Sequence, residues 1–223
     1  LKAVDYTKGI FVSDVIYGKC KSCTTLQEAK EFVLAQAKED SSFEIKLNSN
    51  VTAEGLDELD YSGSNCPQMS LNLNGYTLSL KNNQIVSVDG ITGYRVGSNT
   101  KGYLVMAANN TLKPLNRSLW LNGIELKSNT TNLILGDIDC QSGDFVSTYD
   151  VKVNGNLNNL TVYGELSGEF NSKITVNNCL TIDNRVSEVN YYPVYANFVT
   201  AIASKNMYIT KGSGIKVTDL SIT

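Results

Sequence analysis

Met69-Ser70-Leu71-Asn72-Leu73-Asn74-Gly75 is the stretch that decides how this chain folds. Apolar and small polar residues alternate along it, and Asn-Gly closes the run. Successive side chains of an extended strand point to opposite faces, so Met69, Leu71 and Leu73 share one side. The same unit returns as Leu119-Trp120-Leu121-Asn122-Gly123, Leu133-Ile134-Leu135-Gly136, Val151-Lys152-Val153-Asn154-Gly155 and Leu160-Thr161-Val162-Tyr163-Gly164. Further copies are Ile174-Thr175-Val176, Leu180-Thr181-Ile182, Met207-Tyr208-Ile209 and Ile215-Lys216-Val217. Two or three apolar residues per strand are too few for a sandwich but suit one side of a coil.

One such strand cannot bury its apolar face alone, whereas stacked coils continue a single hydrophobic column. Asn at the strand ends can bond to its equivalent in the next coil and form a ladder along the axis. The copies recur at irregular intervals, as expected of coils whose turns differ in length. Residues 84–118 break the pattern with Val96-Gly97-Ser98-Asn99-Thr100-Lys101-Gly102 and Asn109-Asn110-Thr111. They read as distorted coils with long loops rather than as a second domain.

Upstream, Gly9 to Tyr17 is β-rich and leads into Cys20-Lys21-Ser22-Cys23, read as a turn. Thr25-Leu26-Gln27-Glu28 is a capping box, and Leu26, Ala29, Phe32, Val33 and Ala37 mark one apolar face. A helix over about 25–38 follows. Phe43-Glu44-Ile45-Lys46-Leu47 then alternates strictly. The expected organisation is one all-β domain over 1–223, with a helical cap over 1–42 and coils over 43–223, because the first coil of a solenoid otherwise exposes its core. Leu220-Ser221-Ile222 still alternates at the last residue, and no export signal stands at Leu1, so the sequence reads as part of a longer protein.

Composition narrows the function classes. Net charge is −3 with pI near 5.1, which gives no basic footprint for nucleic acid and no polybasic membrane patch. No apolar run reaches the roughly 20 residues of a spanning helix. Charged residues make up only 18% of a chain rich in Asn, Ser and Thr, a balance that fits a secreted all-β protein. Histidine is absent, which removes Ser-His-Asp and Cys-His catalysis. The cysteines are Cys20, Cys23, Cys66, Cys140 and Cys179, an odd number that leaves one thiol free in a monomer. A zinc site at Cys20 and Cys23 would have to recruit two distant cysteines, while Cys140 and Cys179 read as small core residues.

Thr24-Thr25-Leu26-Gln27-Glu28-Ala29, Ile45-Lys46-Leu47-Asn48-Ser49-Asn50-Val51-Thr52 and Leu71-Asn72-Leu73-Asn74-Gly75-Tyr76-Thr77-Leu78 together resemble the opening of pectate-lyase-like β-helix modules. Such modules occur in large surface proteins of gut and other Gram-positive bacteria. The motif covers about a quarter of the chain, and the later coils match in style only. The resemblance implies a right-handed parallel β-helix with a short N-terminal capping helix, in an extracellular or cell-surface setting. It does not imply an enzyme.

Lyases and glycoside hydrolases share that fold. The Gly-His-Gly segment of polygalacturonase-like hydrolases has no counterpart without histidine. Arg95, Arg117 and Arg185 stand beside no acidic cluster, unlike the positioned Arg of pectate lyases. Asp137 and Asp139 share one face of a strand with Asp144 nearby, a candidate calcium site or carboxylate pair, or else a solvated turn. Alternation turns Trp120, Tyr163 and Tyr208 outward, and Tyr191-Tyr192-Pro193-Val194-Tyr195 adds a second aromatic group. These aromatics read either as a platform for a sugar ring or partner surface, or as isolated surface residues. The sequons at Asn50, Asn109, Asn116, Asn129 and Asn159 arise by chance in an Asn- and Thr-rich chain. The expected role is adhesive or scaffold-like, without catalysis, and with carbohydrate or a host surface glycoprotein as partner. A carboxylate-dependent lyase or hydrolase and a passive display stalk are the competing classes.

Overall fold

The computed structural model describes residues 8–63, 65, 68–116 and 118–128, and after these the strands named below. Short parallel strands stack into a β-solenoid with one short helix at its start. The first ladder comprises Ser42–Leu47, Gln68–Asn72, Gly90–Thr92, Ser118–Asn122, Asp144–Ser147 and Leu166–Gly168. The second runs through Val51–Thr52, Thr77–Ser79, Gly102–Val105, Ile124–Ser128, Val151–Gly155 and Lys173–Val176. A third takes Ile85–Val88, Thr111–Pro114, Asn132–Leu135, Asn159–Tyr163, Cys179–Asp183 and Asn206–Ile209. The long strand Val194–Ala203 pairs with Leu166–Gly168 through its first part and with Lys173–Val176 through its second, joining two ladders. Ser213–Ile222 lies along it.

Register turns this stacking into a core. Ile45, Leu71, Ile91 and Leu121 align on the first ladder, and Leu78, Leu104 and Leu126 on the second. All seven are buried, as are Val86 and Leu112, which pair on the third. Each contributes about 1.5–3 kcal/mol by leaving water. Residues 84–118 are regular coils, with one excursion at 93–101, and are therefore less distorted than their composition predicts.

The corner into the third ladder repeats one device. Glu58, Gln84 and Asn110 are buried, and each accepts a hydrogen bond from the backbone N–H three residues earlier. Gln84 Nε2 also donates to Gly55 O at 3.0 Å, and Asn110 Nδ2 to Lys81 O at 2.6 Å, so each corner is tied to the coil before it. Asn83 and Asn109 both take positive φ at these corners, and Asn109 Nδ2 donates to Asn83 Oδ1 at 3.1 Å. Among the described residues the expected Asn ladder is thus present as one direct Asn–Asn bond. Elsewhere the coils are joined by Asn bonds to backbone, as from Asn74 Nδ2 to Leu47 O.

The cap departs from the parallel rule. Ile10–Asp14 pairs antiparallel with both Ser42–Leu47 and Cys20–Cys23, so Cys20–Cys23 is an edge strand and not the turn expected of it. The turn lies at Gly18, whose φ of 65° favours glycine. The helix spans Leu26–Gln36, slightly shorter than expected, because Ala37 leaves helical geometry at ψ 133°. Thr25 Oγ1 accepts from Glu28 N at 3.1 Å, and Glu28 Oε2 accepts from Thr24 N at 2.9 Å. This is the capping box, with its return bond one residue early. Leu26, Ala29 and Val33 close the end of the core.

Asp14 is buried at the hairpin, where Oδ1 accepts from Ile16 N at 3.0 Å and Tyr17 N at 3.2 Å. Burial pushes its pKa up, but hydrogen bonds from Ser41 and the backbone of Tyr17, Ile16 and Ser42 outweigh this and hold it below the ordinary carboxylate value. Its stabilising contribution is complete above the unfolded pKa of about 3.9 and is lost as pH falls through the lower native value. Urea unfolding across that range should show Asp14→Asn converging on wild type as the medium becomes more acidic. A gap that stays constant with pH would contradict the assignment. In the core, Leu71→Ala should cost about 2–5 kcal/mol. Asn110→Ala, which strands the Ala107 N–H and Lys81 carbonyl, should cost about 1–3 kcal/mol in the same measurement.

Candidate functional site

Trp120 lies where alternation places it. Leu119 and Leu121 are buried on either side, while Trp120 is 43% exposed on the outer face of the first ladder. Its register partner in the preceding coil is Gly90, so the rung on that side of the indole carries no side chain. Ser70 and Glu44 continue that row.

The structure does not bring Trp120, Tyr163 and Tyr208 together. Tyr163 ends a third-ladder strand in register with Asp183, and Tyr208 aligns with Thr181 on that same ladder. Trp120 belongs to the first, so its strand and theirs lie on different ladders. A period-2 pattern reports which face a residue takes but not which side of a coil its strand occupies. Tyr191, Tyr192, Asp137 and Asp139 lie outside the described residues. Asp144 opens a first-ladder strand in register with Ser118. Among the described residues no group of three His, Cys, Asp or Glu is placed to hold a metal ion. Among them too, no helix is long and apolar enough to cross a membrane.

What stands beside Trp120 is a cleft that the alternation does not announce. The excursion after Thr92 begins at Gly93, whose N–H donates to Asn122 O at 2.8 Å and whose carbonyl accepts from Gly75 N at 2.7 Å. A Cβ on Gly93 would sit 2.0 Å from Gly123 O, so only glycine allows this approach. Tyr94 then lays its ring on Gly123, where a Cβ would meet it at 2.2 Å. Arg95 N donates to Thr100 O and Ser98 N to Arg95 O, both at 3.0 Å, closing a turn in which Gly97 has φ 76°. Val96 stands at the tip, 79% exposed.

Loop 94–99, with Thr92 and Asn122 on the sheet face, encloses an open cleft of about 530 Å³. That lies within the usual range of small-molecule sites, about 300–1,000 Å³. Trp120 is two residues from Asn122 on the same strand face. Arg95 sits over the Tyr76 ring at 4.8 Å, and its Nε donates to Asn74 O at 3.4 Å. Among the described residues the buried Asn122 Oδ1 has no hydrogen-bond partner, a state that costs about 1–3 kcal/mol. Among the described residues the lining offers one cation, hydroxyls, amides, an aromatic ring and an aliphatic tip. The sequence signal was the glycine pair Gly93 and Gly102 bracketing Tyr94-Arg95. An Arg sought only beside acids is passed over there.

Cys20 and Cys23 are both free thiols, Cys20 exposed and Cys23 buried. Three residues apart on a strand they take opposite faces, which prevents a shared metal or a mutual disulfide. Burial pushes the Cys23 thiol pKa up; Glu28 adds to this and Lys21 and Lys8 oppose it. Comparison with protein-family models, with curated proteins and with solved structures returned no match. Iodoacetamide labelling of the native protein, read by peptide mass mapping, should modify Cys20 and spare Cys23 until denaturant is added. Equal native labelling of both would show that the cap does not close over Cys23.

Proposed function

We propose that this chain is a secreted or cell-surface β-helix module with an adhesive or scaffold role, and that it binds glycans at the Trp120 face. The observation that carries this reading is an exposed indole beside a glycine rung on the outer sheet face, next to a cleft of ligand size. Aromatic faces suit the C–H face of a pyranose, while the amides and hydroxyls of Asn122, Thr92, Ser98 and Asn99 suit its hydroxyls. The pectate-lyase-like resemblance of the opening motifs and the low charge with abundant Asn, Ser and Thr support the extracellular setting. Right-handed coiling is the reading favoured by the strong preference for right-handed crossovers between parallel strands.

A glycan array probed with the wild-type chain should return saccharide hits. Trp120→Ala, checked for an unchanged melting temperature because its side chain is exposed, should weaken them by about tenfold or more. An array without wild-type hits would sink the adhesive reading and leave a display stalk. Release of shortened products from pectins, alginates or host glycans would instead establish an enzyme.

A further inference from the structure

We infer that Arg95 is the specificity-determining residue of the cleft and selects saccharides that carry an anionic group, a carboxylate or a sulfate. The inference rests on the glycan reading above and adds the charge of the ligand to it. Among the described residues Arg95 is the single cation of the lining and no carboxylate stands beside it there. Its side chain makes two contacts with the preceding coil. The guanidinium stacks over Tyr76, and Nε is held by the Asn74 carbonyl. Its terminal nitrogens form no ion pair among the described residues. A planar fork held in this way matches the two oxygens of a carboxylate or sulfate, a match that a lysine does not provide.

The rest of the cleft fits a sugar that bears such a group. Trp120 supplies a stacking face on the adjoining sheet. Asn122 keeps an unpaired Oδ1, and a turn about its terminal torsion brings that acceptor to a ligand hydroxyl or amide N–H. The loop that carries Arg95 is fixed at its base by the Gly93–Gly123 approach, so binding does not first have to order it. A polyanion such as nucleic acid is a poor fit, because one described cation at the cleft, on a chain of net charge −3, cannot neutralise a row of phosphates.

The test is calorimetric titration of the whole chain with lactose, sialyl-lactose and sulfated lactose. Wild type, Arg95→Gln and Trp120→Ala are compared at low and high salt. Wild type should bind at least one of the acidic sugars about tenfold or more tighter than lactose, a preference that shrinks with salt. Comparing the two acidic sugars separates carboxylate from sulfate recognition. Arg95→Gln should erase the preference, bringing the acidic sugars to the affinity of lactose, whereas Trp120→Ala should weaken all three sugars. Equal wild-type binding of lactose and both acidic sugars, or a preference that survives in Arg95→Gln, overturns the role of Arg95 and leaves the glycan reading standing. Failure to bind any of the three overturns the charge inference as well, and the array on wild type then decides the glycan reading separately.

Discussion

Each strand of this solenoid is too short to bury its own apolar side, so every coil depends on the register of its neighbours. Ile45, Leu71, Ile91 and Leu121 shield one another only because each coil returns the chain to the same angular position. A shift of one residue would turn the whole inward set outward. The inward column is therefore the constraint that the remaining features serve. Among the described residues antiparallel pairing is found in the cap, where Ile10–Asp14 and the helix cover the end of the core.

Closing a coil forces backbone around corners, and there the interior cannot be wholly apolar. Glu58, Gln84 and Asn110 solve this by taking buried positions and bonding to the backbone of their own turn. Gln84 and Asn110 also reach the coil before. These bonds span nearly one coil of sequence, and they are made where water is excluded, so an unpaired group would cost more than the bond gains. Register is thus held twice, by aliphatic columns along the sheets and by amides at the corner.

This division explains what could be read from the residues alone. Alternation at Met69–Leu73 and Leu119–Leu121 reports local burial, and burial in a short strand demands stacking, so the solenoid and the outward Trp120 were both legible. The capping box marked the helix for the same local reason. Which ladder a strand joins depends on corner lengths summed along the chain, and short motifs carry no such sum. Tyr163 and Tyr208 therefore looked equivalent to Trp120 although their strands lie on another ladder. The polar corners were hidden because Gln84 and Asn110 look like surface residues until their backbone partners are known. The reading of Cys20–Cys23 as a turn failed because a CxxC carries no strand signal, and its place is set by pairing with Ile10–Asp14.

The cleft follows from a mismatch between successive corners. One coil leaves the first ladder at Thr92 and does not rejoin the second until Gly102, whereas the next crosses the same corner through Gly123 alone. Beside so tight a corner there is room for the longer one to fold against it. Tyr94 fills that room, and Gly123 permits it by lacking a side chain and accepting φ 61°. With its base wedged there, the loop stands beside the sheet and leaves open the space that Arg95 and Asn122 line. Core register requires each coil to meet the ladders in step but sets no limit on the length of a corner. Recognition can therefore be written into an excursion such as 93–101 without disturbing the column that keeps the protein folded.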